Sequence, residues 1–437
     1  MRVVIVGAGI AGLTAAHDLA ATGHDVVVLE AAAEIGGKVR RREVAGVSVD
    51  VGAEAMLNRR PEGVALARSL GLEVQHPTLA SSRIWTRGAL RPLPRTLMGW
   101  PLDLGQLAAS GVLSDAGVRR ARAGFVGEPV EGDVSVGDLV ARCFGDEVTD
   151  RLVEPLLGGV YAGRARGISA RAAAPGLIAL AEGGPPPPVS DEPVFAGVRG
   201  GMGALVEGLA AGPFEVRTGV VVQEVARTDG GFEARFAHAS TSADAVVLAT
   251  PAAPTARLLA DLAPSASAEL AAIESASVVV VTLAFAAADM VEQVATASGF
   301  LVPPVDGRTI KAATFSFAKW DWVRQAGRAA DDVVLLRTSL GRHGEATALQ
   351  ASDEELIAWS LHDLAAATGL SARPVDTWVQ RWGGGLPQYA VGHLDRVARI
   401  RADVARVPGR LAVCGAAYDG VGIAAVIASA HRAAAEI

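Results

Sequence analysis

A glycine-rich turn between a strand and a helix constrains this chain more than any other stretch. Residues Arg2–Val6 are apolar and β-branched, as a buried parallel strand requires. Gly7-Ala8-Gly9-Ile10-Ala11-Gly12 follows, and residues 13–20 then read as a helix. In this spacing Gly7 permits the tight turn, Gly9 admits a pyrophosphate close to the backbone, and Gly12 lets helix pack on strand. The free N–H groups of the helix start, and its dipole, would face the phosphates. A second strand, Asp25–Leu29, ends in Glu30, an acid at the distance that suits a ribose hydroxyl. A lone glycine turn is weak evidence. The strand before it, the helix after it and the acid beyond it make a dinucleotide site the expected reading.

Residues 31–60 bear on which dinucleotide. Glu34-Ile35-Gly36-Gly37-Lys38 fits the acidic, double-glycine, basic stretch that follows the ribose acid in flavoproteins with two dinucleotide-type halves. The two glycines give backbone freedom beside a ligand, and Lys38 or Arg40 can meet phosphate. FAD is therefore expected over a nicotinamide. Residues 198–203 carry another glycine loop before a helix at 204–210, and Val220-Val221-Val222 reads as a strand. A buried strand at 244–251 closes the nucleotide sheet. Residues 411–422 form a last strand and glycine loop, with Gly415, Val421 and Gly422, before a terminal helix opening at Ile423. That helix start can also face the flavin.

With 437 residues the chain needs more than one core. The expected fold is α/β: a discontinuous Rossmann-like FAD domain from 1–75, 196–255 and 396–437, and a mixed-sheet substrate domain at 256–395. Strands are expected there at 277–285, 310–317 and 332–339, with a helix at 353–368. A helical segment that can face a membrane is expected at 76–195, with hairpins at 83–100 and a stiff polyproline loop at 185–188. A net charge of −7 argues against a nucleic-acid partner. Two cysteines, Cys143 and Cys414, make no disulfide framework and read as core thiols. No metal-ligand cluster, P-loop or internal repeat is visible. A strand starting at residue 2 leaves no room for a signal peptide, and no apolar run reaches membrane-span length. A cytoplasmic protein, with peripheral membrane contact open to it, is expected.

Further stretches carry a resemblance. The flavin fingerprint, Gly201-Met202-Gly203 and the terminal glycine loop resemble the amine-oxidase-like flavoproteins. Residues 52–61 (Gly-Ala-Glu-Ala-Met-Leu-Asn-Arg-Arg-Pro), 159–163 (Gly-Val-Tyr-Ala-Gly), 386–393 (Leu-Pro-Gln-Tyr-Ala-Val-Gly-His) and 416–423 are similar to the bacterial coproporphyrinogen oxidases of that group, as is Lys319-Trp320. The resemblance implies FAD and oxygen-dependent oxidation of coproporphyrinogen III to coproporphyrin III in haem synthesis, with release of hydrogen peroxide. It implies a porphyrinogen and oxygen as partners, and transient contact with a ferrochelatase. The cofactor residues it suggests are Gly7, Gly9, Ile10, Ala11, Gly12, Glu30, Gly36, Gly37, Lys38, Val222, Gly415, Val421, Gly422 and Ile423. For the substrate it suggests Asn58, Arg59, Tyr161, Lys311 and Tyr389. Arg60, Arg91, Arg95 and Lys319 are further cations for a propionate rim, and Trp382 is a further wall for the cavity. No catalytic acid or base stands out. The alternatives are protoporphyrinogen IX oxidation, an amine oxidase or desaturase on the same fold, and a non-catalytic escort protein.

Overall fold

The computed structural model describes residues 1–437 except 79–80 and 346–349. Five parallel strands form one sheet in the order Glu215–Arg217, Asp25–Leu29, Arg2–Val6, Ala245–Leu248, Arg410–Val413. Segments more than 200 positions apart thus lie side by side. Val3 is opposite both Val26 and Ala245. The sheet is buried on both faces, which explains its unbroken valine runs. Helices Ile10–Ala21, Gly203–Ala210 and Ile423–Ala435 cover one face. An antiparallel meander, Glu224–Thr228, Gly231–Phe236 and Ala239–Ala243, covers the other with helices Ala252–Leu258, Pro264–Ala271 and His393–Val404.

The strand expected at 220–222 is not there. The chain pairs earlier, through Glu215–Arg217, and turns at Gly219, whose φ is 70°. Three valines favour extended backbone, but strand identity needs a partner, and Asp25–Leu29 is already used by Glu215–Arg217. Val220 N–H instead donates to the carbonyl of Glu30 at 2.8 Å, so Val222 follows as linking backbone beside the acid.

A second, seven-stranded mixed sheet runs Asp376–Pro387, Ser275–Ala286, Val333–Leu340, Ile310–Thr314, Gly299–Leu301, Arg83–Thr86, Ala89–Pro92. Its last two strands come from the stretch expected to open the helical segment: the hairpin at 83–92 adds itself to the sheet edge. Ile310–Thr314 stops short of residue 317 because Ser316–Lys319 winds into a helical turn. Helix Asp353–Thr368 starts at a capping box, Ser352 with Glu355. Short helices between Leu104 and Ala181 pack around a third core, which also holds Tyr389. Residues 185–188 are exposed irregular backbone. Among the described residues, no helix is long and apolar enough to cross a membrane.

Candidate flavin and substrate site

The opening loop is built around two close approaches and one gap. Gly7 has φ 106°, and a Cβ on Gly12 would lie 1.8 Å from the Gly7 carbonyl oxygen, so the helix can touch the strand only with glycine there. Gly9 differs: φ is −73°, and a Cβ would meet nothing within 4 Å. That open space fronts the start of Ile10–Ala21, which has no side-chain cap and no acid in its first turn. Its N–H groups are free for phosphate.

Two further segments close on this gap. Gly36 N–H donates to the Ala8 carbonyl at 2.8 Å, and Gly9 and Gly36 form a parallel bridge. The Glu30 carboxylate accepts from Ala8 N–H at 2.6 Å and Ala32 N–H at 2.8 Å, which fixes it at the C-terminal end of strand Asp25–Leu29. From the far end of the chain, a Cβ on Gly415 would sit 4.0 Å from the Ala11 side chain. The helix that begins at Ile423 is again uncapped, with Gly422 at its N-cap, and it packs with Ile10 and Ala11 in one core. Val421 instead packs against the helical segment. Open space, two uncapped helix starts and a fixed carboxylate fit a dinucleotide such as FAD. The Lys38 side chain runs towards the substrate sheet: its Cε lies 3.7 Å from the Cβ position of Gly385, and desolvation lowers its pKa. Cys414 beside the loop is buried, which pushes its thiol up to about 12 and leaves it inert.

Tyr389 is fully buried. Its hydroxyl donates to the Ala416 carbonyl and accepts from Gly420 N–H, both at 2.7 Å. Tyr389 was expected among the substrate contacts; instead it bolts down the closing loop. Tyr389→Phe leaves both loop groups unpartnered, a loss of about 2–4 kcal/mol. A matching rise in flavin Kd, followed by titrating apoprotein, is the expected result. His393 stacks on the Tyr389 ring at 3.8 Å, and its Nε2 meets the Tyr418 carbonyl at 3.1 Å. Burial lowers its pKa to about 4. The folded state thus disfavours imidazolium, so stability is full above pH 6.5 and falls as pH drops from 6.5 towards 4. The loss is on the order of 3 kcal/mol, and acid-limb urea titrations of His393→Gln are expected to lack it.

Behind the cradle lies a buried ionic group. Glu54 pairs with Lys319 at 2.7 Å and Arg337 at 3.4 Å. Burial alone would raise its pKa, but the two cations outweigh that and hold it at about 2. Arg337 also donates to the Asp50 carbonyl at 2.9 Å. The Asp50 carboxylate accepts from Met202 N–H at 2.7 Å and Gly203 N–H at 3.1 Å, while burial pushes it up to about 7. This group ties the 41–54 hairpin, the 200–203 loop and the substrate sheet together. Lys319 is therefore not a rim cation. Arg60 pairs with Glu62, Arg91 donates to the Thr86 carbonyl, and Arg95 to the Pro187 carbonyl. Arg59 is exposed, and Asn58 is half-buried with its N–H on the Val194 carbonyl. Tyr161 is buried 5.5 Å from the Tyr389 ring, with its hydroxyl pushed up to about 12. Trp382 packs with Ala162 and Val278 and lies beneath the Arg40 guanidinium. Arg337 and Arg342 are the residues sequence reasoning missed. One charge inside the apolar strand 333–340 was the available signal for Arg337.

Fold and cradle together define an FAD-dependent oxidoreductase. Residues 10–437 match the family model described as flavin containing amine oxidoreductase, and the chain belongs to that family. Within it the chain is similar to coproporphyrinogen III oxidase of Mycobacterium tuberculosis (strain ATCC 25618 / H37Rv). The two are 39% identical over 98% of this chain and 95% of that protein. Coproporphyrinogen III oxidase of Bacillus subtilis (strain 168) is 27% identical over 97% of this chain and 94% of its own length. A crystal structure of a candidate protoporphyrinogen oxidase from Exiguobacterium sp. 255-15 superposes with TM-score 0.87 at 28% identity, covering 99% of this chain and 98% of that one.

Proposed function

We propose that this protein oxidises coproporphyrinogen III to coproporphyrin III in haem synthesis. The carrying observation is similarity over nearly the full length to coproporphyrinogen III oxidases, in a chain whose first and last glycine loops lie together. Bound FAD supplies a two-electron acceptor suited to C–H oxidation. The substrate loses six hydrogens in three two-electron steps, and three molecules of oxygen become three of hydrogen peroxide.

In this reading the chain's residues bind and orient. Gly7, Gly9, Gly12, Gly36 and Gly37 form the phosphate cradle, and Glu30 holds the ribose. The closing loop, held by Tyr389, lies against the flavin. Segments 1–75, 196–255 and 396–437 act as the FAD domain, and 256–395 with the 83–92 hairpin as the substrate domain. Asn58 and Arg59 border the entrance, and Tyr161 walls the macrocycle. The protein works in the cytoplasm, where a membrane surface and a ferrochelatase are the proposed neighbours.

Stopped-flow mixing of flavin-loaded protein with coproporphyrinogen III tests this. Anaerobic bleaching of the flavin, then porphyrin fluorescence and peroxide after oxygen is admitted, are expected. A loaded enzyme that stays yellow overturns the reading. Protoporphyrinogen IX is the second substrate to compare, because of the Exiguobacterium structure. The ratio of kcat/KM for the two decides.

A further inference from the structure

Lys311 is almost fully buried, 6% exposed, at a break in the seven-stranded sheet. Ile310 pairs with Leu340 and Ala312 with Ser339, so Lys311 is the extra residue of a β-bulge. Bulges re-aim a side chain and recur beside ligand sites. None of the ion pairs or side-chain hydrogen bonds among the described residues uses its ammonium. The charges acting on it are Arg342 and Glu345.

Arg342 is 8% exposed and lies against the same backbone. Its guanidinium donates to the Val302 carbonyl at 3.3 Å, while Val302 N–H donates to the Lys311 carbonyl at 2.9 Å. Gly341, with φ 88°, turns the chain before it, and His343 N–H donates to the Ala162 carbonyl at 2.6 Å after it. Arg342 is thereby fixed beside helix Glu154–Tyr161. Its nearest carboxylate, Glu345, is 3.8 Å away, 43% exposed, and shared with Arg164 at 3.9 Å. Glu154 also acts on Arg342, but burial raises its own pKa, and it accepts from Ala165 N–H.

Two nearly buried cations thus face one loosely held carboxylate. Buried like charges without close anions cost stability unless an anion joins them or one loses its proton. Burial and Arg342 do push Lys311 down to about 7. A carboxylate placed between Lys311 and Arg342 would restore its proton and satisfy both. The position suits the proposed substrate. The 161–162 turn meets His343, next to Arg342, on one side, and on the other the Tyr161 ring lies 5.5 Å from that of Tyr389, whose hydroxyl holds the closing loop.

We propose that Lys311 and Arg342 form a carboxylate subsite that receives one propionate of the macrocycle. This rests on the functional reading above, so the test separates the two. Flavin-loaded wild type, Lys311→Met and Lys311→Arg are titrated with coproporphyrin III and with its neutral tetramethyl ester, following fluorescence quenching. Lys311→Met is expected to weaken the acid about 10-fold, one charge-assisted hydrogen bond, and to leave the ester unchanged. Lys311→Arg is expected to stay near wild type. Wild-type affinity for the acid falls as pH rises through about 7 because the bound form needs the protonated amine, and Lys311→Arg abolishes that fall. Equal acid affinity in Lys311→Met and wild type overturns the subsite. So does wild type that binds the ester as tightly as the acid, a result that needs no variant to fold. If wild type oxidises coproporphyrinogen III and Lys311→Met is indifferent, the subsite alone is wrong. If wild type binds the acid through Lys311 but oxidises no porphyrinogen, the functional reading alone is wrong.

Discussion

Gly9→Val is expected to fold normally and to purify without flavin. Backbone at Gly9 has φ −73°, open to any residue, and the new side chain meets no protein atom within 4 Å of its Cβ. At the Cβ position the protein itself offers no resistance. The space it fills is the space proposed for phosphate, before the uncapped start of Ile10–Ala21. Gly12→Val is the contrasting case. Its Cβ would fall 1.8 Å from the Gly7 carbonyl, so helix and strand must part. That strain costs about 3 kcal/mol or more and lowers Tm whether or not flavin is present. Flavin absorbance per protein and the Tm of the stripped proteins separate the two. Gly9→Val that keeps wild-type flavin content means the pyrophosphate lies elsewhere.

The cradle was legible because its signals are local. A strand, three glycines, a helix and an acid occupy the first thirty residues, and each is needed for a short-range geometric reason. The closing loop was legible for the same cause. Errors arose where a distant partner decides the outcome. Residues 220–222 have strand-like side chains, but Glu215–Arg217 holds the available edge. The hairpin at 83–92 looks self-contained until Gly299–Leu301 pairs beside it. Lys319 reads as a cation for the propionate rim until Glu54, 265 positions earlier, meets it at 2.7 Å. Tyr389 sits in a stretch that resembles a substrate motif, and only the fold reveals that its hydroxyl is taken by Ala416 and Gly420. A side chain's type narrows what it can bond, while its partner is set by tertiary placement.

Glu54 is where that placement matters most for stability. Its carboxylate lies between Lys319 and Arg337, all three side chains under a fifth exposed. Glu54→Gln keeps the shape and removes the charge, leaving two buried cations without their anion. Breaking a buried pair from one side costs about 3–5 kcal/mol, so a marked fall in the urea midpoint at pH 7 is expected. Removing Lys319 as well, by Lys319→Met in the Glu54→Gln background, recovers part of the loss, because one stranded charge goes with it. The pH dependence has a definite sign. Glu54 is held at about 2, below its ordinary 4.5; the ion pairs stabilise above pH 4.5, and the contribution is lost as pH falls through 4.5 towards 2. Glu54→Gln therefore differs from wild type most at neutral pH, and the gap narrows in acid. Because Glu54 lies on the cradle side while Lys319 and Arg337 belong to the substrate side, the variant also loosens the cleft between them. KM is expected to rise more than kcat falls. A Glu54→Gln protein as stable as wild type at pH 7 would mean that the two cations find another anion or water, and that this ionic group does not hold the two halves together.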